Sequence, residues 1–136
     1  MAAASIGVFL VTFLWRFFTF TGFSNDHYAN LALAQQMLLG ALPIRDFSDP
    51  GWPLTYVISA AAWYLAGGTM AVEWSIVTLG FALGAAFTVV AAHRLSGSLT
   101  VALFVAVLEL LIFPRTYSYP KMLGYGGAGW AMVALA

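Results

Sequence analysis

Residues 70–92 form a mainly apolar run of the length that crosses a bilayer as a helix, roughly 20 residues, and four more apolar runs accompany it, at 6–23, 54–66, 99–113 and 122–136. A chain built this way has little polar surface to offer water: 62% of its residues are hydrophobic and 7% charged, against roughly half and a quarter in an average soluble domain. A soluble globular fold is excluded on these numbers. The expected fold class is all-α, a polytopic transmembrane helical bundle whose external first loop carries juxtamembrane helices. Five Lys/Arg balance five Asp/Glu, so no basic excess points to nucleic acid. With no cysteine, disulfide frameworks, thiolate zinc sites, iron–sulfur clusters and cysteine nucleophiles are absent.

The first run lacks the basic leader region and small-residue cleavage pattern of a signal peptide, and is expected to remain as the first membrane helix, about 5–23. Arg16 interrupts it, and a charge at that depth faces protein or snorkels. A polar loop follows, about 24–69, holding three of the acidic residues, Asp26, Asp46 and Asp49. Within it, 27–39 has neither Gly nor Pro and reads as a juxtamembrane helix, with Asp26 as N-terminal cap and Gly40 as its end. Tyr28, Leu31, Leu38 and Leu39 share a weak interfacial stripe. Residues 53–66 are short for a crossing and read as a second juxtamembrane helix lying in or dipping into the outer interface. Further membrane helices are expected over about 70–93, 98–114 and 122–136. Arg94 marks the end of the second of these four as cytoplasmic, which brings 114–121, with Arg115 and Lys121, to the same side as the three aspartates. Should 54–66 cross fully instead, that loop becomes cytoplasmic and its cations become ordinary positive-inside residues. The last run stops without a polar flank, so residues 1–136 read as the N-terminal part of a single domain in a larger membrane protein.

Gly124-Tyr125-Gly126-Gly127-Ala128-Gly129 formally fits a dinucleotide fingerprint, but no βαβ unit surrounds it and no acidic residue follows. Closely spaced small residues more often permit tight helix packing in membranes, and Gly80-Phe81-Ala82-Leu83-Gly84 offers the same surface. His27 and His93 lie in different loops, which argues against a histidine metal site. Arg16 and Glu109 stand out as charges well inside apolar runs, and are expected to pair between the first and third spans, since an unpaired ion at depth is expensive. Each loop aspartate has a plain structural use, Asp26 as a cap and Asp46 and Asp49 in Asx turns or against Arg45. Together, at one interface, they suggest a site.

Asp26 just outside the first helix, then Tyr28 and a short helix ending at Gly40, then Pro43, Arg45-Asp46-Phe47 and a Pro-rich entry to Leu54-Thr55-Tyr56, resembles the first external loop of the GT-C superfamily of integral membrane glycosyltransferases. The similarity covers roughly residues 5–125 and is nearest to the branch of protein O-mannosyltransferases and the aminoarabinose transferase acting on lipid A. Tyr117, Tyr119, Pro120 and Lys121 resemble a Tyr-x-Tyr-Pro-Lys element of some bacterial members. Ile44 stands where an aromatic is frequent, His27 where several relatives have a second acid, and the C-terminal membrane helices of the family have no counterpart here.

The resemblance implies a multi-pass protein of the bacterial inner membrane, its active site facing outward, that moves a sugar from a polyprenyl-phosphate-linked donor to an acceptor whose identity the residues leave open. Such a transfer needs a base at the acceptor hydroxyl and cations at the leaving phosphate, where negative charge grows. The resemblance assigns the base to Asp26. Arg115 and Lys121 suit the phosphate, Arg45 is a further candidate that Asp46 can neutralise, and Asp46, Asp49 and Tyr119 would line the substrate pocket. Some relatives use a divalent metal, and carboxylates in this loop fit either a metal site or hydrogen-bonded turns. Trp52, Trp63 and Tyr64 suit an interfacial belt beside the lipid. The alternative is non-catalytic: a multi-span scaffold, carrier or transporter fragment whose aspartates cap helices and whose glycines pack them.

Overall fold

A computed structural model describes residues 1–23, 25–48, 53–112, 116–118 and 122–136. The chain is all-α apart from one small pair of strands: α1 (Ala2–Phe18), β1 (Phe20–Phe23), α2 (Asn25–Leu38), α3 (Pro53–Ala66), α4 (Met70–Ser96), α5 (Leu99–Ile112), β2 (Thr116–Ser118) and α6 (Met122–Leu135). At 1.5 Å per residue the 27 residues of α4 reach about 40 Å. Among the described residues α4 is the one helix long and apolar enough, by length and composition, to cross a membrane. Its last turn holds His93 and Arg94, suited to the negative end of the helix dipole. It stops at Gly97, whose φ of 68° is the left-handed conformation that a glycine C-terminal cap supplies most cheaply.

The other long helices are arranged around α4. Ser5 Oγ donates to the Ala86 carbonyl at 2.9 Å while the Phe17 ring stacks on Trp74 at 4.8 Å, so α1 runs antiparallel to α4. The turn at Gly97 folds α5 back onto α4, where Val89, Ala102 and Ala106 form a buried cluster flanked by Val8 and Ala92. α6 runs parallel to α4 in close approach. Built Cβ atoms at Gly126 and Gly129 would lie 3.5 Å from the Gly80 carbonyl and 3.3 Å from the Gly84 carbonyl. Arg94 Nη1 closes the far end of this pair, donating to the Val133 carbonyl at 2.6 Å. The glycine-rich stretch is thus a helix seam, the packing use of small residues.

Two expectations about α1 and α2 need correcting. The first apolar run is not helical to residue 23: α1 ends at Phe18 and the chain becomes extended over Phe20–Phe23. Thr19 closes the helix, donating through its backbone N–H (2.9 Å) and its Oγ1 (2.7 Å) to the Trp15 carbonyl. The residues that follow, Phe-Thr-Gly-Phe, combine aromatic and β-branched side chains that suit a strand with a glycine at φ 138° that a helix does not contain. β1 pairs in parallel with β2, Phe20 opposite Thr116, Gly22 opposite Tyr117 and Phe23 opposite Ser118, with an irregularity between Phe20 and Gly22. Asp26 is not the cap of α2 either. The helix already includes Asn25, so Asp26 lies in the first turn. The stripe on α2 also divides, with Leu31 buried beside Ala34 and Tyr28, Leu38 and Leu39 exposed.

Polar and charged side chains share the interior with the apolar core, while many large apolar side chains face outward. Arg16, Thr12, Thr78, Glu73, His27 and Ser59 are all buried, whereas Leu10, Leu14 and Phe18 on α1, Phe104, Leu111 and Ile112 on α5, and Trp130, Met132 and Leu135 on α6 face outward. Arg16 is 1% exposed, and its guanidinium carbon sits 4.0 Å from the centroid of the Phe81 ring, a cation–π contact.

Candidate functional site

The site is assembled at one end of the bundle, where α1 passes into β1, α2 begins, α4 begins and β2 returns. Aromatic stacking fixes this end: Trp74, in the first turns of α4, is sandwiched between Phe17 (4.8 Å) and Phe20 (4.5 Å). Phe20 and Phe23 meet at 4.9 Å, and Phe23 reaches the His27 ring at 5.0 Å. The strand that leads out of α1 is therefore held both by the β2 ladder and by rings from α1, α2 and α4.

Asp26 sits on the exposed side of the first turn of α2, where a carboxylate is favoured by the helix dipole. Its own carbonyl accepts a 2.9 Å bond from Asn30 Nδ2. One residue further, a rotation of about 100° on a helix of 3.6 residues per turn, His27 points inward and is 2% exposed. Its Nε2–H donates to Glu73 Oε2 at 3.1 Å. Ser59 Oγ, from the middle of α3, donates to the same oxygen at 3.1 Å. Glu73 is 0% exposed, and its second oxygen, Oε1, is buried with no hydrogen-bond partner. A carboxylate so enclosed is tolerated because it lies in the first turn of α4, on the positive end of the longest dipole in the molecule, and because it accepts two hydrogen bonds.

The second half of the loop folds on itself. Arg45 donates from Nε to Asp46 Oδ1 (2.9 Å) and from Nη2 to Asp46 Oδ2 (2.7 Å), the two-pronged geometry natural to guanidinium and carboxylate. The Leu42 backbone N–H also donates to Asp46 Oδ2 at 2.7 Å. The Arg45 hydrogen bonds, with that from Leu42, hold the Asp46 carboxyl below its ordinary range, and Asp46 in turn holds Arg45 above its own. Ile44 takes a φ of 71° in this turn, strained for a β-branched residue, and its N–H donates to the Phe47 carbonyl at 3.1 Å. Phe47 carries the turn onto the α2–α3 core, meeting Tyr56 edge-on at 5.8 Å beside Ala34 and Ala60.

Of the residues expected to form the site, Asp26, Arg45 and Asp46 are described, and Arg45 is engaged by Asp46. Asp49, Arg115, Tyr119 and Lys121 lie outside the described residues, as does Trp52. Thr116–Ser118, between Arg115 and Tyr119 in the chain, is hydrogen-bonded to the strand that runs into Asp26. Among the described residues no group of three or more His, Cys, Asp or Glu side chains is placed to hold a metal ion. Sequence reasoning missed Glu73 and Ser59 altogether and considered His27 only as a metal ligand and as a departure from the second acid of the resembling family. The available signal was an acid three residues into an apolar run, where a buried charge calls for a partner. No family model, curated protein or solved structure matches this chain.

Proposed function

We propose that this chain belongs to a multi-pass membrane glycosyltransferase that takes a sugar from a polyprenyl-phosphate-linked donor on the outer side of the membrane. The observation that carries the reading is the parallel pairing of β1 with β2. It joins Thr116–Ser118 to the strand that leads into Asp26, and on this reading the chain neighbours of β2, Arg115 and Lys121, supply the positive charge that goes with that acid. That is the combination a phosphate-leaving sugar transfer requires, a base for the acceptor hydroxyl and positive charge for the departing phosphate. The membrane setting is supported by the outward-facing Leu, Phe and Trp side chains on α1, α5 and α6 and by the polar residues held inside. A face of that kind in water invites aggregation, whereas in lipid it is solvated. α1, α4, α5 and α6 serve as the spans and α2 and α3 as the juxtamembrane pair. Asp26 acts as the base, and Arg115 and Lys121 neutralise the phosphate. Asp46, with Arg45 locked to it, shapes the rim of the pocket together with Asp49 and Tyr119.

The test uses the full-length protein reconstituted with a polyprenyl-phosphate sugar. Asp26→Asn keeps the side-chain size and removes the basic carboxylate, and transfer should fall by roughly 10²-fold or more. Its effect on stability should stay within about 1 kcal/mol, the size of a first-turn dipole interaction. Near-normal transfer by a well-folded Asp26→Asn protein overturns the assignment of the base, and no transfer by the unmodified protein, the outcome that a scaffold or carrier predicts, overturns the function.

A further inference from the structure

We infer that Glu73 is a positioning residue for Asp26, acting through His27; this deepens the glycosyltransferase reading and rests on it. His27 and Asp26 are consecutive residues in the first turn of α2, one buried and one exposed. Whatever fixes the rotation of that turn about its axis fixes the direction in which Asp26 points. Two contacts do so from the buried side: Glu73 Oε2 holds His27 Nε2 at 3.1 Å, and the Phe23 ring covers the imidazole at 5.0 Å. Only the first links α2 to α4, the longest and most enclosed helix.

The energetics argue that this link is more than filling. A fully enclosed carboxylate with one oxygen unpartnered is a costly way to make a helix contact, and a leucine or alanine would pack the same space without that cost. Apolar burial seats α2 on α3, where Ala34 packs with Tyr56 and Ala60 and Leu33 and Met37 lie alongside; the link to α4 described here is the polar one through His27 and Glu73. Ser59 donates to the same Glu73 oxygen and thereby sets the carboxylate in place relative to α3. The result is a three-helix clamp whose output is the phase of one helical turn. Because reacting groups must be held to within a fraction of an ångström, a displacement of about 1 Å costs on the order of 10²-fold in rate.

Residues 1–136 hold no cysteine, so once any cysteine elsewhere in the full-length protein is replaced, a single thiol at position 26 reports on that turn alone. In full-length protein in membranes carrying Asp26→Cys, the rate of reaction with an impermeant maleimide is measured with His27 and Glu73 intact, with Glu73→Ala, with His27→Ala and with both. Each single change should shift the rate at least threefold, and the double variant should match the singles. His27→Gln and Glu73→Gln, which keep the donor and the acceptor, should leave the rate within twofold. With Asp26 present, Glu73→Ala should lower kcat for sugar transfer at least tenfold while KM for the donor stays within twofold. Should Glu73→Ala fail to accumulate, His27→Ala, which breaks the same bond from α2, carries the same expectation. Unchanged thiol rates in well-folded variants, or effects of the two residues that simply add, overturn the proposal. An unmodified protein that transfers no sugar overturns the function instead, and the thiol rates still decide whether the clamp sets Asp26.

Discussion

Asp46 accepts two hydrogen bonds from Arg45 and one from the Leu42 amide, and its carboxyl is held below the ordinary range as a result. A depressed carboxyl contributes stability that is present in full above its unfolded value, about 3.9, and is lost as pH falls through the lower, folded value. The Leu42 amide resonance should therefore titrate with a midpoint below that unfolded value. A midpoint at or above 4 contradicts the bonded geometry. At this scale the sequence was half legible. The adjacency of Arg45 and Asp46 in a turn-rich stretch announces their pairing, since neighbours in a tight loop have few other partners. Glu73 was hidden because nothing local marks which of α2 and α3 will cover the start of α4; its partners His27 and Ser59 lie 46 and 14 residues away in the chain.

Helices were the readable elements, because long apolar runs ended by Gly leave little choice of secondary structure. The strands were not, since Phe20–Phe23 and Thr116–Ser118 are each too short to show a period and become strands only through pairing with one another. Gly126 and Gly129 illustrate the intermediate case: the spacing signals a packing seam, and the contacts identify its partner as Gly80 and Gly84 on α4. A Cβ at Gly129 would lie 3.0 Å from Phe87 Cβ, whereas one at Gly127 meets nothing within 4 Å. Gly127→Ala should be neutral or stabilising by up to about 1 kcal/mol, from helix propensity. Gly129→Leu should destabilise by about 1–3 kcal/mol through overpacking. Thermal melts of the two variants in the same detergent check both, and equal melting temperatures would mean that α6 does not seat on α4.

For the molecule as a whole, the ladder between β1 and β2 bears on the proposed membrane reading, because two segments that share hydrogen bonds lie on one side of any membrane the bundle occupies. On that reading the first and third loops face the same way and α3 stays at the interface, which labelling can check. Single cysteines at Ser48 and Ser118 should both react with an impermeant thiol reagent added from outside, and one at Ser96 should not. Reaction at Ser48 and Ser96 but not Ser118 would mean that α3 crosses. The same ladder also dictates an order of assembly. β1 leaves the ribosome early, but its partner lies beyond α2, α3, α4 and α5, and parallel strands close only over such a crossover. Long-range closure of this kind comes late in folding. The turn bearing Asp26 must therefore wait, with one edge of β1 unpaired, until three further helices have been made. A chain arrested before residue 116 should expose that edge to whatever chaperone or protease meets it first.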